Sequence, residues 1–411
     1  MARHFGDELG AQRRMALKGS FRRDTIITHA GLDPEANHGI VNPPVYHAST
    51  ITFASVAAWD EAHKPGFKGF VYGRYGTPTH RAFGEAVAAT EGGHGCIAWP
   101  SGFAAVVGAI LAFVKSGDHI LMVDSAYFPN RRFCDNFLRN MGIETTYYDP
   151  LIGGGIRDLI RPNTRIVYTE SPGTGTFEMQ DIPVIAEEAH KKGCVVFMDN
   201  TWSGGFFFSA FKHGVDVSIQ AATKYIVGHS DAMLGTTTCT EATLPAVEAS
   251  FKALGYSVGP DDVYLGLRGL RTMHVRLKGH QENAIKVATW LETRPEVARV
   301  LCPALPSFPG YKLWKRDFTG CSGLFSVLIK EQPKPAMDAF LDTLKIFRMG
   351  ASWGGYESLA LPVSNVLHRT AVPWTEKGTL VRLHIGLEDA DDLIADLEAG
   401  FSRLTQVAKA A

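Results

Sequence analysis

The run Gly193-Cys194-Val195-Val196-Phe197-Met198-Asp199-Asn200-Thr201-Trp202 decides the architecture. A continuous apolar stretch bounded by a glycine and a polar cluster reads as a short strand buried on both faces. Just upstream, Ile182 to Lys192 has helical patterning, and Gly193 suits the helix stop. The same alternation recurs outward. Candidate strands are His119–Val123, Glu144–Tyr148, Arg165–Thr169, Cys194–Met198, Val215–Ile219 and Met233–Cys239, with a further helix from Phe103 to Val114. Strands alternating with helices predict an α/β fold: a large domain with a mostly parallel sheet between helices. Ligands of such sheets sit beyond the carboxyl ends of the strands. That rule selects Asp124, Glu170, Asp199 and the loop containing Lys224.

Either side of this region the pattern changes. Residues 1–70 are irregular and rich in His, Pro and Gly, and read as an arm that packs on something else. A long helical region runs from Asp262 to Thr293. Leu301–Ser307 is Pro-rich and reads as a linker. Beyond it, strands Gly323–Ile329 and Leu380–Ile385 mix with helices Lys334–Leu344 and Ala390–Leu404, which predicts a smaller C-terminal α+β domain. The expected division is an arm at 1–70, a large domain at 71–270 and a C-terminal domain at 271–411.

The 411 residues are 45% hydrophobic and 20% charged, with a formal net charge of −1, so neither nucleic acid nor an anionic membrane is an expected partner. No apolar run reaches the roughly 18–20 residues of a membrane span. The N-terminus lacks the order of a signal peptide and reads as a short mobile arm. The six cysteines are scattered without a CxxC pair, so no zinc or redox motif appears. Buried free thiols in the cytoplasm are the expectation.

The chemistry concentrates in Ala221-Ala222-Thr223-Lys224-Tyr225. A lysine here has little other charge around it, and desolvation lowers an amine's pKa, suiting it as nucleophile and base. Asp199 ends an apolar strand. It could merely cap the next turn, or it could stay ionised beside a protonated pyridine nitrogen. Lysine and aspartate together suit pyridoxal 5'-phosphate, whose aldehyde needs an amine and whose ring needs an acid to become an electron sink. Ser101-Gly102-Phe103 opens a helix whose free N–H groups suit phosphate. Tyr127 could stack on a flat ring or pack on the core. Tyr72-Gly73-Arg74 could grip a phosphate or form a structural hairpin. Arg382, inside an apolar strand, needs a partner, either an internal acid or a substrate carboxylate. Ser352-Trp353-Gly354-Gly355 could face a pocket or fill a domain interface.

From Thr25 onward the chain resembles the Cys/Met-metabolism branch of fold-type I pyridoxal-phosphate enzymes, which have the aspartate-aminotransferase-like fold. The matching motifs are Tyr72–Thr79, Ser101–Ala105, Asp199–Trp202, Ala221–Gly228, Ser352–Ser358 and Leu380–Glu388. The resemblance implies that Lys224 holds the cofactor, Asp199 pairs with its ring nitrogen and Tyr127 stacks on the ring. Gly102, Phe103 and Thr223 would hold the phosphate, with Tyr72 and Arg74 reaching in from a neighbouring subunit of a homotetramer. Arg382, Ser352 and Trp353 would contact the substrate, and Tyr127 and Tyr72 join Lys224 among the catalytic groups. Relatives often carry Ser where this chain has Ala221. Trp202 and Trp353 stand where γ-acting members usually differ, and two indoles could narrow the pocket.

The expected activity is therefore β-cleavage of L-cystathionine to homocysteine, pyruvate and ammonia, a step of methionine biosynthesis. A broader cysteine-S-conjugate or cystine β-lyase, or a methionine or cystathionine γ-lyase, are the alternatives. A binding protein without turnover is disfavoured by the intact Lys224, Asp199, Tyr127 and Arg382. A nicotinamide dehydrogenase is disfavoured by the missing GxGxxG.

Overall fold

A computed structural model describes residues 21–364 and 367–410. Its larger sheet has seven strands: β1 (Gly95–Trp99), β2 (His119–Val123), β3 (Glu144–Tyr148), β4 (Thr164–Glu170), β5 (Val195–Asp199), β6 (Val217–Gln220) and β7 (Gly235–Cys239). They lie in the order β1-β7-β6-β5-β4-β2-β3. Strands β3, β2, β4, β5 and β6 pair in parallel, and β7 runs antiparallel to both β6 and β1. Every residue of β2, from His119 to Val123, is buried. This two-faced burial is why the centres of β2, β4 and β5 read as apolar runs. One hydrophobic cluster, built on Trp99, Ile120, Met122, Ile166 and Phe197, fills one side of the sheet. A larger one, built on Leu121, Val123, Val167, Val196 and Met198, fills the other and continues into the second domain.

The parallel strands bring the ends of β2, β4 and β5, and the loop after β6, to one edge. Asp124, Glu170, Asp199 and Lys224 follow from that topology. Two elements lie beyond the sequence expectations: β1, whose Gly95-Cys96-Ile97-Ala98-Trp99 run is only partly buried, and the helix Pro78–Glu91, which opens with a Thr77–His80 capping box and a proline in the first turn.

The smaller sheet comprises β8 (Val297–Leu301), β9 (Leu324–Ile329), β10 (Leu359–Pro362) and β11 (Thr379–His384), in the antiparallel order β10-β11-β9-β8. Helices Lys334–Asp342 and Ala390–Ala410 pack on each other beside it, with the Phe340 and Phe401 rings stacked 4.7 Å apart. Two expectations need correction. Leu301–Ser307 is not a linker: Leu301 closes β8, and Cys302, Ala304 and Leu305 are buried in the core. Its prolines mark tight turns against the sheet rather than a free connection. The proposed boundary at 270/271 falls inside one unbroken helix, Pro260–Glu292. At 33 residues it spans about 50 Å. It touches Pro78–Glu91 of the first domain and Ala390–Ala410 of the second, so it is shared by both.

Five of the cysteines are buried and Cys96 is partly so, all as free thiols. Among the described residues no helix is long and apolar enough to cross a membrane. The arm expected over the first two dozen residues lies largely outside the described residues.

Candidate active site

The loop after β6 is built on backbone bonds that aim Lys224. The Lys224 N–H donates to the Ala221 carbonyl at 2.9 Å, and the Gly228 N–H returns to the Lys224 carbonyl at 2.7 Å. Tyr225 is fully buried, and its phenol oxygen accepts the Gly323 N–H. The lysine is thus held by a turn whose other residues are anchored in the core. Its Nζ donates to Ser352 Oγ at 2.7 Å and lies 5.5 Å from the centre of the Trp353 ring. Burial and then the nearby Arg382 guanidinium push its pKa down to about 8, opposed by Asp199. Gly354 permits this close approach. Its φ is +88°, and a Cβ there would lie 2.9 Å from the Lys224 Cα.

Asp199 stands at the end of β5, beside Lys224. Both its hydrogen bonds, from the Thr201 N–H (3.0 Å) and hydroxyl (2.5 Å), go to Oδ1. Among the described residues no bond reaches Oδ2. The Thr201 hydroxyl also accepts the Ala221 N–H at 2.9 Å. A three-link chain therefore ties the aspartate to the lysine's own turn. Burial raises the Asp199 pKa, while Thr201 and Lys224 favour its anion.

Arg382 lies in β11 two residues before His384, so the two side chains share one face of the strand. Its Nη2 donates to the carbonyls of Gly350 (3.2 Å) and Ser352 (3.0 Å), and among the described residues no carboxylate forms a salt bridge with it. Burial lowers its pKa, opposed by Tyr127. A part-buried guanidinium without an acidic partner is an incomplete ion pair. His384, unforeseen from sequence, supports the same loop by accepting the Gly354 N–H at Nε2 (3.1 Å). Burial pushes its pKa down to about 3, so the ring is neutral. Its place two residues from Arg382 in an alternating strand was the available signal.

Tyr127 follows β2 and is 48% exposed, and its N–H donates to Glu170 Oε2 at 2.7 Å. Burial raises its pKa, as do the neighbouring carboxyl groups of Asp199 and Glu170, while Arg382 lowers it. These mutual influences place Tyr127, Asp199, Lys224 and Arg382 around one space. At its edge the helix Gly102–Leu111 begins, capped by Ser101 Oγ on the Ala104 N–H. Gly102 packs against Ala221, where a Cβ on the glycine would come within 2.5 Å. The N–H groups of Gly102 and Phe103 have no acceptor among the described residues. The small Ala221 side chain thus fits the closeness of the two loops.

Other expected residues are placed differently. Asp124 is not open to a ligand. It accepts two bonds from Arg131 and the N–H groups of Thr370, Ala371 and Val372, fastening that segment to the end of β2. Arg369, paired with Glu178 at 2.8 Å, fastens the same segment to the loop after β4. Thr223 already donates its hydroxyl to the Leu234 carbonyl and accepts the Leu234 N–H. Trp202 does not narrow the pocket. It is buried, with Nε1 donating to the Leu324 carbonyl and its ring against Phe318, because an indole in the core needs an internal acceptor. Tyr72 and Arg74 stand apart from the cluster. Arg74 bonds the Lys252 carbonyl and the Tyr75 hydroxyl, and the Tyr72 ring meets Tyr75 while remaining exposed.

The residues fit pyridoxal phosphate. An amine of lowered pKa stands beside a carboxylate with one uncommitted oxygen, open N–H groups begin a helix, and a guanidinium lacks its acid.

The sequence model of the Cys/Met metabolism PLP-dependent enzyme family matches residues 24–402. The chain is 46% identical over 389 residues to the cystathionine beta-lyase MetC of Escherichia coli, covering 93% of this chain and 98% of that one. It is 45% identical to the cystathionine beta-lyase of Haemophilus influenzae, covering 94% and 100%. Among solved structures, metB from Corynebacterium glutamicum superposes with a TM-score of 0.87 at 30% identity, over 94% of this chain and 99% of that one.

Proposed function

Since the chain belongs to the Cys/Met metabolism family of PLP-dependent enzymes, we propose that it is a carbon–sulfur β-lyase that converts L-cystathionine and water to homocysteine, pyruvate and ammonia. The observation that carries this reading is the double role of Ser352. Its hydroxyl accepts from Lys224 and its carbonyl accepts from Arg382, so one loop residue sets the distance between an amine and a free guanidinium. An α-amino acid needs that pair: a base at Cα and a cation at the α-carboxylate.

When bound, pyridoxal phosphate supplies an aldehyde and an electron-withdrawing ring that acidifies the Cα–H of an attached amino acid. Lys224 would hold the cofactor through Nζ, Asp199 Oδ2 would accept a hydrogen bond from the protonated ring nitrogen while staying ionised, and the Gly102 and Phe103 N–H groups would face the phosphate. Thr223 would join them by exchanging its bond to the Leu234 carbonyl. Tyr127 would cover the ring. Arg382 would take the substrate carboxylate in fork geometry and align the Cα–H with Lys224 Nζ. Lys224 would accept that proton. The Cβ–S bond would break with its electron pair leaving on sulfur, releasing homocysteine. The three-carbon enamine would then be hydrolysed to pyruvate and ammonia. Trp353, over the Lys224 amine, would exclude water and contact the distal half of the substrate.

The separation of Tyr72 and Arg74 from the rest of the cluster supports a second part of the reading: they complete the site of a neighbouring copy in a homotetramer. Light scattering that found a fully active monomer would rule this out. The activity is tested by adding L-cystathionine to the purified, cofactor-loaded protein and assaying products. Equal amounts of pyruvate and homocysteine support the proposal. 2-Oxobutyrate with cysteine would make the protein a γ-lyase instead.

A further inference from the structure

We infer that Glu170 is a positioning residue of this site, one that carries a proton, anchors the Tyr127 main chain and leaves the negative charge of the strand-end pair on Asp199. The inference rests on the reading above, in which Asp199 and Tyr127 meet the cofactor.

The geometry begins with the sheet. β4 and β5 are parallel neighbours, and their register sets Glu170 opposite Asp199. Two carboxylates therefore end side by side at the edge where the site lies. Glu170 is buried, and among the described residues no Lys, Arg or His forms a salt bridge with it. Instead it holds loops. Oε2 accepts the Tyr127 N–H at 2.7 Å, and Oε1 meets the Thr174 hydroxyl. Tyr127 is the residue just before the short helix Phe128–Arg132, so fixing its N–H fixes where the exposed ring starts.

Two adjacent carboxylates in a water-poor place do not both ionise. The charge goes to the one with better support. Asp199 has two Thr201 bonds and the Lys224 ammonium beside it. Glu170 faces Asp199 from the neighbouring strand, and Tyr127 and Tyr168 lie near it, neither of them a cation. Burial first, then the Asp199 charge, hold the Glu170 carboxyl well above the usual carboxylate range. A neutral Glu170 still accepts the Tyr127 N–H at Oε2 and can donate from Oε1 to Thr174.

The test uses pyridoxal 5'-phosphate as the probe, with Glu170→Gln and Glu170→Ala. Two quantities are measured: the cofactor's Kd for the cofactor-free protein, and the pH midpoint of the bound cofactor's visible absorbance. Gln keeps an uncharged acceptor and a donor, so its midpoint should stay within about 0.3 pH unit of the parent's. Ala loses the acceptor for the Tyr127 N–H, and its Kd should rise about ten-fold or more. A Gln midpoint displaced by about one unit or more would show that Glu170 carried charge, and would overturn the inference. So would an Ala variant that binds cofactor like the parent. If Ala melts early by circular dichroism, the Gln midpoint alone decides. A parent that acquires no visible absorbance at all would instead sink the underlying reading.

Discussion

The Lys224 amine and the Ser352 hydroxyl are 2.7 Å apart, although 128 residues separate them in the chain. One comes from the loop after β6 of the large sheet, the other from the loop before β10 of the small one. The site thus lies where the two domains meet, and the long helix Pro260–Glu292 shared by both keeps that meeting fixed.

Removing the amine should be the most damaging single change. Lys224→Ala is expected to lower pyruvate formation by at least about 10²–10⁴-fold, the usual worth of a positioned base. The protein's visible cofactor absorbance should vanish with it. An Ala variant that keeps both would exclude Lys224 from the chemistry.

The lowered pKa of Lys224 has its own signature in the cofactor-free protein. Below about 8 the amine is an ammonium, and above it a free base. Acylation of Lys224 by an amine-reactive reagent, followed by peptide mass spectrometry, should therefore rise with pH through a midpoint near 8. A midpoint near the ordinary lysine value of 10.5 would mean the amine is neither desolvated nor influenced by Arg382.

Arg382→Ala should raise KM for cystathionine and reduce kcat/KM by the equivalent of about 2–5 kcal/mol, the cost of truncating one partner of a buried charge pair. Arg382→Lys should recover only part of this, since an ammonium lacks the two-pronged fit. Steady-state kinetics on both variants check the order. Unchanged KM in the Ala variant would assign the substrate carboxylate elsewhere.

Asp124 predicts a stability effect rather than a chemical one. Asp124→Ala leaves Arg131 buried without its partner and frees three N–H groups of the 370–372 segment. The expected loss is about 3–5 kcal/mol, seen as a lower denaturant midpoint. A midpoint equal to the parent's would mean the segment is held by Arg369 and Glu178 alone.

Much of this molecule is local in origin. The apolar runs of β2, β4 and β5 and the helix starts report burial along a single element. They therefore place Asp124, Glu170 and Asp199 at strand ends, and Lys224 in the loop after β6, from the sequence alone. The Arg382 expectation also rests on local pattern, a charge in an alternating strand. Other features have no local signature. Trp202 and Trp353 look alike in sequence, yet one is buried with its nitrogen bonded to Leu324 and the other stands over Lys224. Asp124 and Asp199 both end strands, yet one is consumed by the 370–372 segment and the other keeps an oxygen open. Leu301–Ser307 has a linker's composition but supplies core.

The sequence by itself determined which elements form and which residues stand at their ends, because strand and helix periodicity record which side of each element meets water. Only the tertiary structure decided which of those residues remain unsatisfied and so available for chemistry. Partners such as Ser352 for Lys224, or Glu170 for Tyr127, come from elements brought together by sheet order and domain packing, and no spacing along the chain records them.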